Sequence, residues 1–152
     1  MSGAFTIRRA AAADAQPLIE FNRAMARETE NKDLPLEIVS AGVRAALEDA
    51  RHGFYVVVER GSEIAGALMI TYEWSDWRNR VFWLIQSVYV RPAFRRQGVY
   101  RLLYDFVKRE AARAGNVCGF RLYVEKENAV AQKVYASLGM SESHYVMFEE
   151  AL

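Results

Sequence analysis

A chain of 152 residues with 52% hydrophobic side chains is the size of one domain and can bury a substantial core. Its formal net charge of +1 gives no overall attraction to nucleic acid or to an anionic membrane, and no apolar run is long enough to cross a bilayer. The single cysteine, Cys118, has no partner for an intramolecular disulfide or a zinc site, which is typical of a reducing compartment. We therefore expect one cytoplasmic domain over residues 1–152, with no metal, no nucleic-acid partner and no membrane anchor.

The first half of the sequence alternates between strand-like and helical patterns. Asp14 precedes an apolar stripe with helical spacing, and polar residues 28–32 together with Pro35 interrupt that stripe. Gly61 lies between two runs rich in apolar and β-branched residues, which is typical of a hairpin. In chain order, these patterns predict a strand over 5–8, a helix from 15 to about 26, a helix over 36–50 and a hairpin of strands 54–59 and 64–72.

The second half begins with an aromatic loop over 73–80, followed by an almost continuous apolar run over 81–90 that is typical of a strand buried on both faces. A stripe with a period of about 3.6 residues after Gly98 predicts a helix, which Gly115 caps. The remaining predicted elements are a strand over 120–124, a helix over 131–138 and a last strand over 143–148. This order predicts an α/β (α+β) fold with a mixed, largely antiparallel sheet flanked by helices.

The joint between the apolar run and the following helix carries a glycine and several arginines, in the order Arg95-Arg96-Gln97-Gly98-Val99. A helix N-terminus exposes unpaired N–H groups and a partial positive charge, and a glycine lets a phosphate approach the backbone closely. The spacing is neither a Walker loop nor a dinucleotide fingerprint. The joint indicates a site for a phosphate-bearing cofactor; the alternative is a solvated basic turn before an ordinary helix.

The joint resembles the acetyl-CoA pyrophosphate loop of the GNAT acyltransferases, [RQ]-x-x-G-x-[GA], with Tyr100 where that family usually has Gly or Ala. A second stretch, Asn128 to Gly139, is similar to the family's N-x-x-A-x-x-x-Y motif and the [LR]-G that follows it. The predicted order of strands and helices is also that of the family. The resemblance therefore covers nearly the whole chain and implies a GNAT-like fold and an acetyl-CoA-dependent N-acetyltransferase.

The resemblance implies three groups of cofactor-binding residues. The pyrophosphate would be held by Arg95, Arg96, Gln97, Gly98, Val99, Tyr100 and Arg101. The backbone of Val88, Tyr89 and Val90 would bind the pantetheine arm and the acetyl carbonyl where the strand splays from its neighbour, although their side chains also fit plain core packing. Asn128, with Ala131 in the same motif, would bind the arm, and Asn128 is equally a common helix N-cap.

The resemblance also implies catalytic residues. Tyr135 would donate a proton to the departing thiolate; from periodicity alone it reads as a core tyrosine. Gln86 stands where related enzymes often have a carboxylate, and a glutamine can orient a water but is not a useful proton acceptor. Glu73 is a possible replacement base, with a solvated loop carboxylate as the alternative.

The acceptor is expected to be a small amine held between Tyr72, Trp74 and Trp77 on one side and Glu28 and Glu30 on the other. Aromatic faces attract cations and carboxylates hold ammonium groups, which suits a polyamine, an amino-acid derivative or an aminoglycoside-like amine. Solvated glutamates and a protein amine as acceptor are the alternatives here.

Two rival functions share the fold: a non-catalytic acetyl-CoA-binding sensor, and an acyltransferase for a longer acyl-CoA, against which the bulk of Tyr89 argues. A homodimer is compatible with the sequence.

Overall fold

The computed structural model describes residues 3–152, which form one five-stranded sheet with its strands in chain order. The strands are β1 (Phe5–Arg9), β2 (Phe54–Arg60), β3 (Glu63–Ser75), β4 (Arg80–Val90) and β5 (Val117–Leu122). All neighbours pair antiparallel except β4 and β5, which are parallel. The mixed, largely antiparallel sheet predicted from the hairpins is therefore confirmed.

Four helices accompany the sheet: α1 (Ala15–Glu30), α2 (Leu36–Glu48), α3 (Val99–Ala114) and α4 (Ala129–Ser137). Helix α3 is the crossover that parallel pairing of β4 and β5 requires. Helix α1 runs about one turn beyond its predicted end because its last polar residues face solvent, and it stops at Asn31, whose backbone is left-handed at φ 51°. No helix formed by residues 3–152 is both long enough and apolar enough to cross a membrane.

The sheet separates two apolar clusters. One lies under α3 and contains Leu68, Leu103 and Val107, and the other lies under α1 and α2 and contains Leu18 and Val57. Successive residues of a strand point to opposite faces, so β2 supplies both clusters with side chains that have no exposed surface. Both faces of the sheet are thus covered at β2, whereas every residue of β5 is only partly buried.

Two sequence predictions are wrong. The aromatic loop over 73–80 is shorter than predicted: β3 continues to Ser75 and β4 begins at Arg80, because cross-strand pairing extends the hairpin and leaves residues 76–79 as the turn. The last strand, predicted over 143–148, is irregular, exposed chain in which Phe148 is 93% exposed. A segment with a strand-like pattern forms a strand only where the edge of a sheet pairs with it, and β5 does not pair with this segment.

Candidate functional site

The turn between β4 and α3 presents a row of backbone N–H groups to solvent. Arg96 and Gly98 are both left-handed, with φ of 63° and 77°. Within residues 3–152, none of the backbone N–H groups from Arg96 to Arg101 donates a hydrogen bond to a protein acceptor. A Cβ added at Gly98 would meet no atom within 4 Å, so the space in front of it is open. Free N–H groups at the positive end of a helix and an open approach fit a phosphate group.

The side chains of this turn divide into anchors and exposed cations. Val99 is buried under the sheet and fixes the start of α3. Gln97 donates to the Ala93 carbonyl at 3.0 Å and accepts from Arg60 at 3.2 Å. Arg96 and Arg101 are exposed. The anchors hold the turn in shape from outside, which leaves the backbone and the two exposed arginines for an anion.

Strand β4 continues past the end of its neighbour β5. The last residues paired between them are Ile85 and Leu122, whereas β4 runs on to Val90. Just beyond this point β4 contains a bulge, because Met69 of β3 faces Gln86 and Ala67 faces Tyr89, with Ser87 left-handed at φ 51°. From Gln86 to Val90, the edge of β4 that pairs with β5 earlier in the strand has no strand partner within residues 3–152. The separation of β4 from β5 thus includes Val88, Tyr89 and Val90, whose part in binding a ligand stays a prediction.

The end of β4 and the start of α3 lie in contact, and Gly66 of β3 makes that contact possible. A Cβ at Gly66 would be 2.9 Å from the Tyr89 carbonyl oxygen and 3.0 Å from Val99 Cγ1. Because Gly66 has no side chain, the start of α3 and the end of β4 can both lie directly against it. The sequence analysis missed Gly66, although a glycine inside a strand pattern is a sign of close backbone approach.

Tyr135 contacts Tyr100 in the first turn of α3. The two rings meet edge to face, with centroids 5.5 Å apart and an interplanar angle of 63°. Burial raises the pKa of both phenols above the usual range. The phenols therefore stay protonated at neutral pH, so each is a hydrogen-bond donor there.

Asn128 is the N-cap of α4. Its Oδ1 accepts a hydrogen bond from the Ala131 backbone N–H at 3.1 Å. Asn128 and Ala131, the first two residues of the motif, therefore both take part in capping the helix. The cap uses the oxygen only, so the Nδ2 group remains available as a donor.

Gln86 and Thr71 form a polar pair on the face of the sheet that carries α1 and α2. Gln86 Nε2 donates to Thr71 Oγ1 at 2.6 Å, which fixes the amide beside the bulge. Both side chains are half-buried. Thr71 was missed by the sequence analysis, since its partnership with Gln86 depends on the register between β3 and β4.

A separate cavity of about 250 Å³ lies at the turn between β3 and β4. Within it the Glu73 carboxylate accepts a hydrogen bond from Arg121, whose guanidinium lies 3.7 Å from the centroid of Phe82. The lining residues are Glu73, Trp74, Ser75, Asp76, Trp77, Arg78, Phe82, Arg121 and Tyr145. Glu73 is four residues along β3 from Met69, the partner of Gln86, which is about 13 Å of strand. The structure thus places Glu73 with the tryptophans but away from the bulge.

The acceptor site predicted between the aromatic residues and the first helices is not formed. Glu28 accepts hydrogen bonds from Tyr89 at 2.9 Å and from Arg95 at 2.8 Å, at the opposite end of β4 from the cavity. Glu30 pairs with Lys32 at 3.3 Å. Tyr72 does not line the cavity, and its ring packs near Trp83. Trp74 and Trp77 are the predicted acceptor residues that the structure brings together.

Arg95 is likewise engaged by protein groups. Besides Glu28, its Nε donates to the Val90 carbonyl at 2.9 Å, and its guanidinium lies 5.5 Å from the Tyr89 ring centroid. Of the arginines in the turn, Arg95 ties α1 to the end of β4, whereas Arg96 and Arg101 face solvent.

The family model described as the acetyltransferase (GNAT) family matches residues 16–140. The chain is similar to the solved structure of a possible acetyltransferase from Clostridium difficile 630, with 42% identity, a TM-score of 0.91 and 97% of each chain covered. A comparison of the sequence with functionally curated proteins gives no match.

Two more distant structures share the fold. A GCN5-related N-acetyltransferase from Ralstonia eutropha JMP134 has 21% identity and a TM-score of 0.78, covering 97% of this chain and 99% of that one. An aminoglycoside acetyltransferase from an uncultured soil metagenomic sample, in complex with trehalose, has 20% identity and a TM-score of 0.80, covering 97% and 96%. At these identities the likeness is one of fold.

Proposed function

Because this chain belongs to the GNAT acetyltransferase family, we propose that it is an N-acetyltransferase that uses acetyl-CoA and acts on a small amine. When bound, acetyl-CoA supplies a thioester whose acetyl group passes to the amine nitrogen. The observation that carries the proposal is the junction at Gly66, where the turn with free N–H groups meets the unpaired end of β4. Those two features are what a ligand with a phosphate at one end and a carbonyl at the other requires.

In this proposal the backbone N–H groups from Arg96 to Arg101 hold the pyrophosphate, and the exposed Arg96 and Arg101 side chains add positive charge. The backbone from Val88 to Val90, which has no strand partner on its β5 side, binds the arm and polarises the acetyl carbonyl, while Arg95 holds the Val90 carbonyl. Asn128 offers its Nδ2 group to the arm while its oxygen caps α4. The donors are fixed by the fold before the ligand arrives, which is the condition for effective charge stabilisation.

Tyr135 donates its phenolic proton to the departing sulfur. Burial keeps this proton in place at neutral pH, because it raises the pKa of the phenol. A positioned general acid contributes about 10²–10⁴-fold to the rate of such a step.

The attacking amine must lose its own proton. An alkylamine with a pKa near 10.4 is only about one part in 2,500 neutral at pH 7, which is a penalty of about 4.6 kcal/mol. Gln86, held by Thr71, orients a water beside the bulge and does not take the proton itself. Glu73 is too far along the strand for direct proton removal, so we assign it to binding and leave the proton to water.

The cavity at Trp74 and Trp77 receives the far end of the acceptor. Because it lies about 13 Å from the bulge, a substrate that fills the cavity and reaches the thioester must be extended. The lining carries two carboxylates, Glu73 and Asp76, and two arginines, Arg78 and Arg121, so the attraction for a second cationic group comes from the faces of the two tryptophans. A polyamine or an aminoglycoside-like amine therefore fits this proposal better than a short monoamine.

The test is steady-state release of free thiol from acetyl-CoA with a panel of amines of increasing length: a short monoamine, a triamine, an aminoglycoside and a peptide with a free N-terminus. We expect kcat/KM to rise with length and with the second cationic group. Binding of acetyl-CoA without turnover on any amine would instead indicate a sensor. A preference for the peptide would indicate a protein acceptor.

A further inference from the structure

The hydroxyl of Tyr100 is buried and has no hydrogen-bond partner. Over residues 3–152, three buried side-chain polar atoms lack a partner: Arg23 Nε, Arg60 Nε and Tyr100 Oη. Tyr100 Oη is the oxygen among them, and it can act as both donor and acceptor. Leaving such a hydroxyl unpaired in a protein interior is destabilising, so its presence calls for a function.

Neighbouring rings hold the Tyr100 side chain in place. It packs edge to face against Tyr135 at 5.5 Å and stacks on Tyr104 at 6.2 Å with an interplanar angle of 24°. Tyr100 belongs to the first turn of α3, two residues after Gly98. Its ring therefore connects the turn with free N–H groups to the tyrosine proposed as the acid.

If the proposed function is correct, the cofactor arm runs from the Gly98 turn toward Tyr135 past this ring, and its binding must expose the hydroxyl, which is covered in the free protein. An arm that starts at a pyrophosphate on the Gly98 turn and ends with a thioester near Tyr135 carries amide and thioester carbonyl oxygens along its length. A carbonyl oxygen is the acceptor that an unpaired phenol requires. In the GNAT motif that this chain resembles, the Tyr100 position is usually Gly or Ala, so this contact depends on the tyrosine found here.

We propose that Tyr100 Oη donates a hydrogen bond to a carbonyl oxygen of the acyl-CoA arm, so that the ligand satisfies a group that the free protein leaves unpaired. The inference rests on the proposed function. Tyr100 is thus a cofactor-binding side chain, beyond the contribution of its backbone N–H to the turn. It follows that loss of the hydroxyl acts in opposite directions on the free and the bound protein.

The test is Tyr100→Phe, with Tyr104→Phe as the matched control on the next turn of the same helix. The free Tyr100→Phe protein should unfold at the same or a higher temperature than wild type, because an unpaired polar group is removed. It should bind acetyl-CoA about three- to tenfold more weakly by calorimetry, because one hydrogen bond is lost. Tyr104→Phe should leave the affinity for acetyl-CoA unchanged.

Free CoA, used as a second ligand, identifies the carbonyl. Equal weakening for CoA and acetyl-CoA assigns the bond to an amide of the arm, and weakening for acetyl-CoA alone assigns it to the thioester. Wild-type affinity of Tyr100→Phe for both ligands would overturn the proposal. A lower unfolding temperature of the free variant would also overturn it, since the hydroxyl would then have a partner within the protein. Failure of wild type to bind acetyl-CoA would refute the proposed function instead, so the two failures are distinguishable.

Discussion

Two glycines at opposite ends of α3 allow the phosphate role of the turn to be separated from backbone strain. Gly98 at the N-cap and Gly115 at the C-cap have nearly the same left-handed φ, 77° and 78°. A Cβ added at either would meet no atom within 4 Å. Alanine at either position therefore suffers the same backbone strain, about 1–2 kcal/mol, without a steric clash.

We expect Gly98→Ala and Gly115→Ala to lower the unfolding temperature by similar amounts, about 2–8 °C for a chain of this size. Their affinities for acetyl-CoA should differ. The Cβ at position 98 occupies the space through which a phosphate reaches the free N–H groups, and each charge-assisted hydrogen bond lost weakens binding about 10- to 100-fold. Gly98→Asp should weaken binding further, because it adds a like charge to the site.

Thermal unfolding of the free proteins and calorimetry with acetyl-CoA measure both effects. Wild-type affinity in a folded Gly98→Ala protein would refute the assignment of the turn to the pyrophosphate. Equal loss of affinity in Gly115→Ala would show that strain in α3, and not access to the N–H groups, controls binding.

Three further substitutions test other parts of the molecule. Tyr135→Phe should lower kcat about 10²–10⁴-fold with little change in acetyl-CoA affinity. A wild-type kcat for this variant, measured by steady-state thiol release, would show that another group supplies the proton. Trp77 is 87% exposed and contributes little to stability, so the Trp77→Ala protein should fold normally. It should have a raised KM for an extended amine and an unchanged KM for a short monoamine. Equal changes in KM for the two amines would exclude the cavity as the acceptor site. Asp14→Asn should lower the free energy of unfolding by about 2 kcal/mol at pH 7, because the buried carboxylate loses hydrogen bonds of 2.7 and 2.9 Å from Arg8. Since Arg8 lowers the pKa of Asp14, this difference should persist above about pH 4 and shrink as the pH falls below it, and urea unfolding showing a constant difference down to pH 3 would contradict the reasoning.

The order of elements could be predicted from the sequence because its signals are local. The stripe after Gly98, the helix end at Gly115 and the apolar run before Pro92 each depend on neighbours within a few residues. The turn at Gly98 was predictable for the same reason, since a glycine and a helix N-terminus adjacent in sequence are adjacent in space. The strand predicted over 143–148 failed because a strand depends on a partner that no local pattern supplies.

The composition of the site was decided by the tertiary structure. Cross-strand register determines which side chains share a face, and a slip of one residue moves every side chain to the other face. The pairing of β3 with β4 places Gln86 beside Thr71, next to the bulge at Ser87. Glu28 illustrates the same limit: 61 residues separate it from Tyr89 in the sequence, and only the packing of α1 on the sheet brings them into hydrogen-bond contact. The sequence by itself therefore determined the turn at Gly98, which is local, and the tertiary structure decided the lining of the cavity at Trp74 and Trp77 and the contact between Tyr100 and Tyr135, which depend on contacts between distant segments.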